Sequence, residues 1–159
     1  MQSHQWVSMS VEQTKAIAAM MANHIATLYD DKGFFITLEG NLGAGKTAFS
    51  QGFIQSLCPD VRVKSPTFSL IESYQSANFG LHHLDLYRLQ DAEELEYLGL
   101  RDLFWHSICL IEWASRGDGW LPTPDWAVHI VSIEGDQRQI TLNAISESGK
   151  LCLASMLKA

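Results

Sequence analysis

The segment ITLEGNLGAGKTAFSQGF, Ile36 to Phe53, spaces Gly40, Gly45, Lys46 and Thr47 as G-x-x-x-x-G-K-T, a pattern that suits phosphate binding. Glycines let a loop turn its backbone N–H groups inward around phosphate oxygens, and a helix opening at Lys46 adds about half a positive charge at its N-terminus. Lys46 then reaches the β- and γ-phosphates, and the Thr47 hydroxyl takes a magnesium ion. The competing reading is a tight turn with a surface lysine. The flanks argue against it, because the motif needs a strand before it and a helix after it, and both patterns are present.

Magnesium bridging two phosphates also needs a carboxylate at the end of a neighbouring strand. ICLIEW places Glu112 after four mostly apolar residues, and LHHLDLY puts Asp85 in the same relation to a different strand. For either acid alone, a solvated strand end is the plain alternative. Thr67, in KSPTFSL, stands just before a strand, where a threonine can sense the γ-phosphate and metal; the alternative is an ordinary Ser-Pro turn. His82 and His83 fall on opposite faces of one strand, so packing is the expected role of each. Trp113 is expected at the core or rim.

These residues need elements to hold them. FFITLEG is a short apolar run bounded by glycine, the pattern of a parallel strand covered on both faces. Phe49, Phe53, Ile54 and Leu57 follow Thr47 at helical spacing, and Pro59 closes that helix. Upstream, Ser10 and Gln13 stand in capping-box spacing, and Ile17, Met20, Met21, His24, Ile25 and Leu28 line one face of a helix that stops at Gly33. FSLIESY, LHHLDLY, ICLIEW, WAVHIVSIE and QITLNAI read as strands, and DAEELEYLGLRDLFW reads as one helix with acids in its first turn. The fold class that follows is α/β: a central, mostly parallel sheet flanked by helices, with the last two strands as an antiparallel edge beyond the loop marked by Pro122 and Pro124.

A chain of 159 residues fits one domain with a single core, burying about 70% of the surface of its unfolded chain. The longest small apolar run, Ala16 to Ala22, is far too short to cross a bilayer, so no membrane association and a cytoplasmic location are expected. Cys58, Cys109 and Cys152 show no C-x-x-C pairing and read as small buried hydrophobes. The net charge of −7, with 11 Lys plus Arg, lacks the basic excess of a stand-alone nucleic-acid binder.

LEGNLGAGKTAFSQGF, VKSPTFSLIESY, HLDLYRLQDAEELEYLGLRD and ICLIEWASRGDGWLP together resemble, in order and spacing, the bacterial TsaE (YjeE) family. The resemblance covers roughly residues 6 to 150, and its DLYRL to RD block is far more specific than the glycine loop. It implies a small P-loop NTPase-like fold that binds ATP and Mg and joins TsaD-like and TsaB-like proteins. That complex places threonylcarbamoyl on the adenosine beside the anticodon of tRNAs reading codons that begin with A. ATP hydrolysis then resets the complex, and tRNA is met only indirectly through it. Carried over by motif, Leu42, Gly43, Ala44, Gly45, Lys46 and Thr47 hold the phosphates, and Thr47 and Glu112 serve the metal. Asp85 assists the metal or positions the attacking water, and Thr67 matches a switch-like threonine. Arg138 matches a basic residue that touches nucleotide, and Ser115 lines the nucleotide's edge. Asn41 departs from the family's usual Gly-Asp-Leu-Gly, which keeps capping geometry but removes a charge.

A GTPase would need a guanine-selecting Asn-Lys-x-Asp segment, which the sequence does not contain. A small-molecule kinase would need an arginine-bearing lid, whereas the arginines here are scattered. A non-hydrolysing, nucleotide-gated binding module is the third reading. For the partner contact, the acidic, aromatic-flanked segment 85–105 is the candidate surface, with an ordinary solvated helix as the alternative.

Overall fold

The computed structural model describes residues 2–28, 30–97, 99–104 and 106–158. The chain runs β1 (Gln2–Ser8), α1 (Val11–Leu28), β2 (Phe34–Glu39), α2 (Lys46–Leu57), β3 (Ile71–Gln75), β4 (Gly80–Asp85), α3 (Glu94–Tyr97), α4 (Leu100–Leu103), β5 (Ser107–Glu112), a 3₁₀ turn (Ala114–Gly117), β6 (Trp126–Ser132), β7 (Arg138–Ala144) and α5 (Glu147–Lys158). Among the described residues the strands form one seven-stranded sheet in the order β1-β7-β6-β2-β5-β4-β3. Pairs β2–β5, β2–β6 and β4–β5 are parallel, while β6–β7, β1–β7 and β3–β4 are antiparallel. The mixed α/β architecture expected from the sequence is therefore present, with antiparallel pairs at both edges rather than one.

Alternation along the central strands assigns the two faces. Ile36, Leu38, Ile108 and Leu110 pack with Met21, Ile25, Phe49 and Phe53 of α1 and α2. Phe35, Cys109 and Ile111 point the other way, onto Leu84, Leu86, Leu95 and Leu100. Each such side chain contributes about 1.5–3 kcal/mol of burial, so β2 is fixed from both faces before any ligand is considered. Ser10 and Gln13 cap α1 as their spacing predicts: the Gln13 N–H donates to Ser10 Oγ at 3.1 Å, and Gln13 Oε1 accepts from the Met9 N–H at 2.5 Å.

Several boundaries differ from the sequence reading. FSLIESY becomes a strand only at Ile71, because the Leu70 N–H turns back to the Pro66 carbonyl at 2.8 Å and Leu70 takes φ 68°. The helix expected over 91–105 is two single turns, interrupted where Gly99 takes φ 65°; its Leu98 and Trp105 lie outside the described residues. β1 and α5 were not anticipated.

Cys58, Cys109 and Cys152 are buried free thiols, as their scatter suggested. Burial pushes the Cys109 and Cys152 thiols up to about 12 and raises Cys58 as well. Because the thiolate is the reactive form, the native chain at pH 7.5 is expected to label slowly with a disulfide reagent, and all three thiols quickly in urea. Rapid native labelling would show that burial does not protect them. Among the described residues, no helix is long and apolar enough to cross a membrane.

Candidate functional site

β2 lies between β5 and β6, all parallel, so its carboxyl end opens into the crevice where the chain leaves in both directions. Such crevices are where open α/β sheets bind ligands. The loop from Gly40 to Gly45 leads from that end into α2. Gly43 and Gly45 take φ 81° and 109°, which β-carbons disfavour. A Cβ on Gly43 would meet nothing within 4 Å, whereas one on Gly40 would stand 2.7 Å from the Ile130 carbonyl. The loop closes on itself through the Ala44 N–H and the Asn41 carbonyl at 3.0 Å, a bond that the Asn-for-Asp change leaves untouched. No side chain caps α2, so its first-turn N–H groups are left for an anion.

Lys46 is 6% exposed. Its Nζ stands 4.1 Å from the centroid of the Trp113 ring, a cation–π contact, made possible because Trp113 takes φ 56° directly after β5. Burial pulls the Lys46 ammonium below the usual lysine range, and the charges of Glu112 and Asp85 pull it partly back. Asp85 and Glu112 are direct register partners at the ends of β4 and β5, so both carboxylates occupy one side of the sheet edge. Asp85 Oδ1 accepts from the Tyr87 N–H at 3.0 Å, and its Oδ2 accepts from the Thr67 hydroxyl at 3.3 Å. Glu112 Oε2 lies 2.6 Å from His83 Nε2.

Lys46, Thr47, Thr67, Asp85, Glu112 and Trp113 share a cleft of about 430 Å³, whose rim includes Leu42, Gly43 and Gly45. The residues that the sequence singled out for phosphate, metal and switch chemistry are thus brought together. Ser115 lies instead in an adjoining hollow of about 300 Å³ with Asn41, Lys46, Trp113 and His129. Arg138 is turned onto the loop itself. Its Nη1 donates to the Gly135 and Gln137 carbonyls at 2.6 and 2.9 Å, its Nη2 to the Gly43 carbonyl at 3.4 Å, and a Cβ on Gly45 would press within 3.3 Å of its Nε. A guanidinium so engaged ties the glycine loop to the turn before β7. His83 is buried, as the packing expected of it requires, and its Nε2 also meets Glu112, a contact that its place two residues before Asp85 on the same strand face allows.

The sequence model of the family described as "Threonylcarbamoyl adenosine biosynthesis protein TsaE" matches residues 8–140. The tRNA threonylcarbamoyladenosine biosynthesis protein TsaE of Haemophilus influenzae is 45% identical over 130 residues, covering 81% of this chain and 82% of that protein. Its Bacillus subtilis namesake is 38% identical over 146 residues, covering 91% and 88%. The crystal structure of Bacillus subtilis YdiB superposes with a TM-score of 0.80 at 31% identity, covering 99% of this chain and 95% of that one. With the family match spanning most of its length, the chain belongs to the TsaE family.

Proposed function

We propose that this chain is a Mg-dependent, P-loop-type ATPase subunit that serves formation of the threonylcarbamoyl group on the adenosine beside the anticodon. Its hydrolysis of ATP drives or resets a complex with TsaD-like and TsaB-like proteins in the cytoplasm. The convergence of Lys46, Thr47, Asp85 and Glu112 on one cleft beside an uncapped helix start carries this reading. Family membership supports the pathway.

The donor set fits the ion and nucleotide. Among the described residues no group of three His, Cys, Asp or Glu side chains forms a metal cage. One hydroxyl and two carboxylates instead suit a small hard cation that keeps several waters and arrives with phosphates. When bound, magnesium would neutralise charge on the phosphates. The chain's own residues do the rest: the loop amides and Lys46 hold the phosphates, Thr47 and Glu112 would hold the ion, and Asp85 would orient water or assist the ion. Thr67, bonded to Asp85, would follow the state of the γ-phosphate. The acidic net charge fits a subunit that leaves tRNA binding to its partners.

A reconstituted tRNA modification assay, counting turnovers with and without the chain, tests the assignment. Modification that proceeds equally well without it sinks the reading. Two further results are expected. Glu112→Gln, which keeps shape and removes charge, should leave folding intact and lower Mg-dependent hydrolysis by about 10-fold or more; an unchanged rate removes Glu112 from the site. The isolated chain should turn over slowly, at about 10⁻⁴ to 10⁻² per second, as P-loop enzymes do before a partner completes the site. Adding the TsaD-like and TsaB-like pair should raise that rate, and an isolated chain already as fast as the complex would contradict a partner-completed site.

A further inference from the structure

His83 is 3% exposed and Glu112 7% exposed, and their side chains meet at 2.6 Å between Nε2 and Oε2. The geometry follows from the strands. His83 precedes Asp85 by two residues on β4, so the two share a face, and the register pairs Asp85 with Glu112 and His83 with Leu110. The imidazole therefore sits one step back along β4 from the two carboxylates, in contact with Glu112. It occupies one oxygen of Glu112, and Oε1 is left for the cleft that Glu112 lines. His83 Nδ1 is also buried and has no hydrogen-bond partner among the described residues. A ring used only to satisfy its own polar atoms would not be left in this state. The neutral tautomer with the proton on Nε2 accounts for it: Nε2–H donates to the carboxylate, and the lone-pair acceptor Nδ1 is the cheaper group to leave unpaired.

We propose that His83 is a positioning residue for Glu112. By donating Nε2–H to Oε2 it holds the carboxylate in one rotamer, so that a single oxygen, Oε1, is presented to the ion and its waters. The inference rests on the metal-assisted ATP site argued above. Groups that orient a ligating carboxylate in this way are worth about 10–100-fold in metal affinity or activity, and an unanchored Glu112 would divide its time among rotamers that miss the ion.

The amide analogues make a chemical test. In His83→Gln the longer side chain carries its amide nitrogen near the position of the imidazole Nε2, whereas the shorter amide of His83→Asn mimics only Nδ1 and cannot reach. His83→Gln should therefore keep the native response of nucleotide binding to magnesium, and His83→Asn should shift it to higher magnesium. Binding of a non-hydrolysable ATP analogue is measured by calorimetry across a magnesium titration and again in chelator. Expected for His83→Asn is an increase of about 10–100-fold in the magnesium concentration at half effect, with binding in chelator unchanged and His83→Gln within about threefold of the native chain. In a Glu112→Ala background, His83→Asn should have no further effect, since it acts through that carboxylate. A native magnesium dependence in folded His83→Asn, equal loss in His83→Gln, or additivity with Glu112→Ala overturns the proposal. If His83→Asn does not fold, His83→Leu, which keeps volume and removes the donor, takes its place. A native chain whose nucleotide binding ignores magnesium would instead overturn the metal-assisted reading itself, so the two failures are distinguishable.

Discussion

Lys46→Ala is expected to lower the rate of ATP hydrolysis at saturating nucleotide by about 10²–10³-fold, the cost of removing one preorganised charge from developing negative charge. The ammonium is the cleft's own mobile cation, and it is already desolvated: 6% exposed, under the Trp113 ring, its acidity raised by burial. A charge in this state interacts strongly with phosphate because little water competes. The same burial makes it costly to the empty fold. Lys46→Met, which keeps the alkyl stem and drops the charge, should therefore unfold no more easily than the native chain while being equally inactive. The sign of the pH effect follows. The folded-state pKa lies below the ordinary 10.5, so in the alkaline window up to 10.5 the unfolded chain holds more protons, and this residue's cost to stability is relieved as pH rises. Initial rates with ATP and magnesium, paired with thermal unfolding, check both halves. Hydrolysis within about tenfold of native would take Lys46 out of the role given to it.

Gly52→Val should have the largest effect on stability. Gly52 lies mid-way along α2, and a Cβ there would stand 2.6 Å from Lys15 Cα and 2.8 Å from its carbonyl carbon, and would also collide with its carbonyl oxygen. These are backbone atoms of α1, so no side chain can swing aside; the helices must separate. Overpacking of this kind costs about 1–3 kcal/mol or more, and at about 2–4 °C per kcal/mol for a chain of this size the melting temperature should fall by about 2–12 °C. Since α2 begins with Lys46 and Thr47, the shift also moves the two residues proposed to hold phosphate. Gly43→Ala is the informative contrast. Its Cβ would meet nothing within 4 Å, so the cost is the left-handed backbone alone, about 1–2 kcal/mol, and the loss should fall mainly on nucleotide binding. Equal denaturant midpoints for Gly52→Val and the native chain would contradict the close-approach account.

What was legible in the sequence was local or periodic. The glycine loop, the strand before it and the helix after it occupy one continuous stretch, and the two acids each announce themselves by ending an apolar run. What was hidden depends on partners far along the chain. His83 looked like packing because nothing in its neighbourhood names Glu112, its partner on the adjacent strand. β1 escaped because it is an edge strand: Gln2, Ser3 and Gln5 are exposed and only Ser8 is buried, so neither alternation nor β-propensity stands out. α5 escaped because Gly149 weakens its first turn by about 1 kcal/mol relative to alanine. That glycine is required by the crowding of a would-be Cβ against the Asp125 carbonyl, a contact no helical pattern reveals. Arg138 was legible as a residue near the loop, while its bonds to main-chain carbonyls on the loop and on the turn before β7 were not.

The central place of β2 also sets a timetable for synthesis. Phe34 pairs with Ile108 and Ile36 with Trp126, so the strand that carries the phosphate loop is made early and both of its neighbours late. Some 90 residues separate positions 36 and 126, which at about 5–20 residues per second leaves the apolar FFITL strand unpaired on its second side for about 5–18 s. Until then α1 and α2 on one face, and Leu84, Leu86, Leu95 and Leu100 on the other, are what can shelter it. The strand before the glycine loop therefore gains its second neighbour only after β6 has been made, and under the proposed function nucleotide would stabilise the folded chain without templating it.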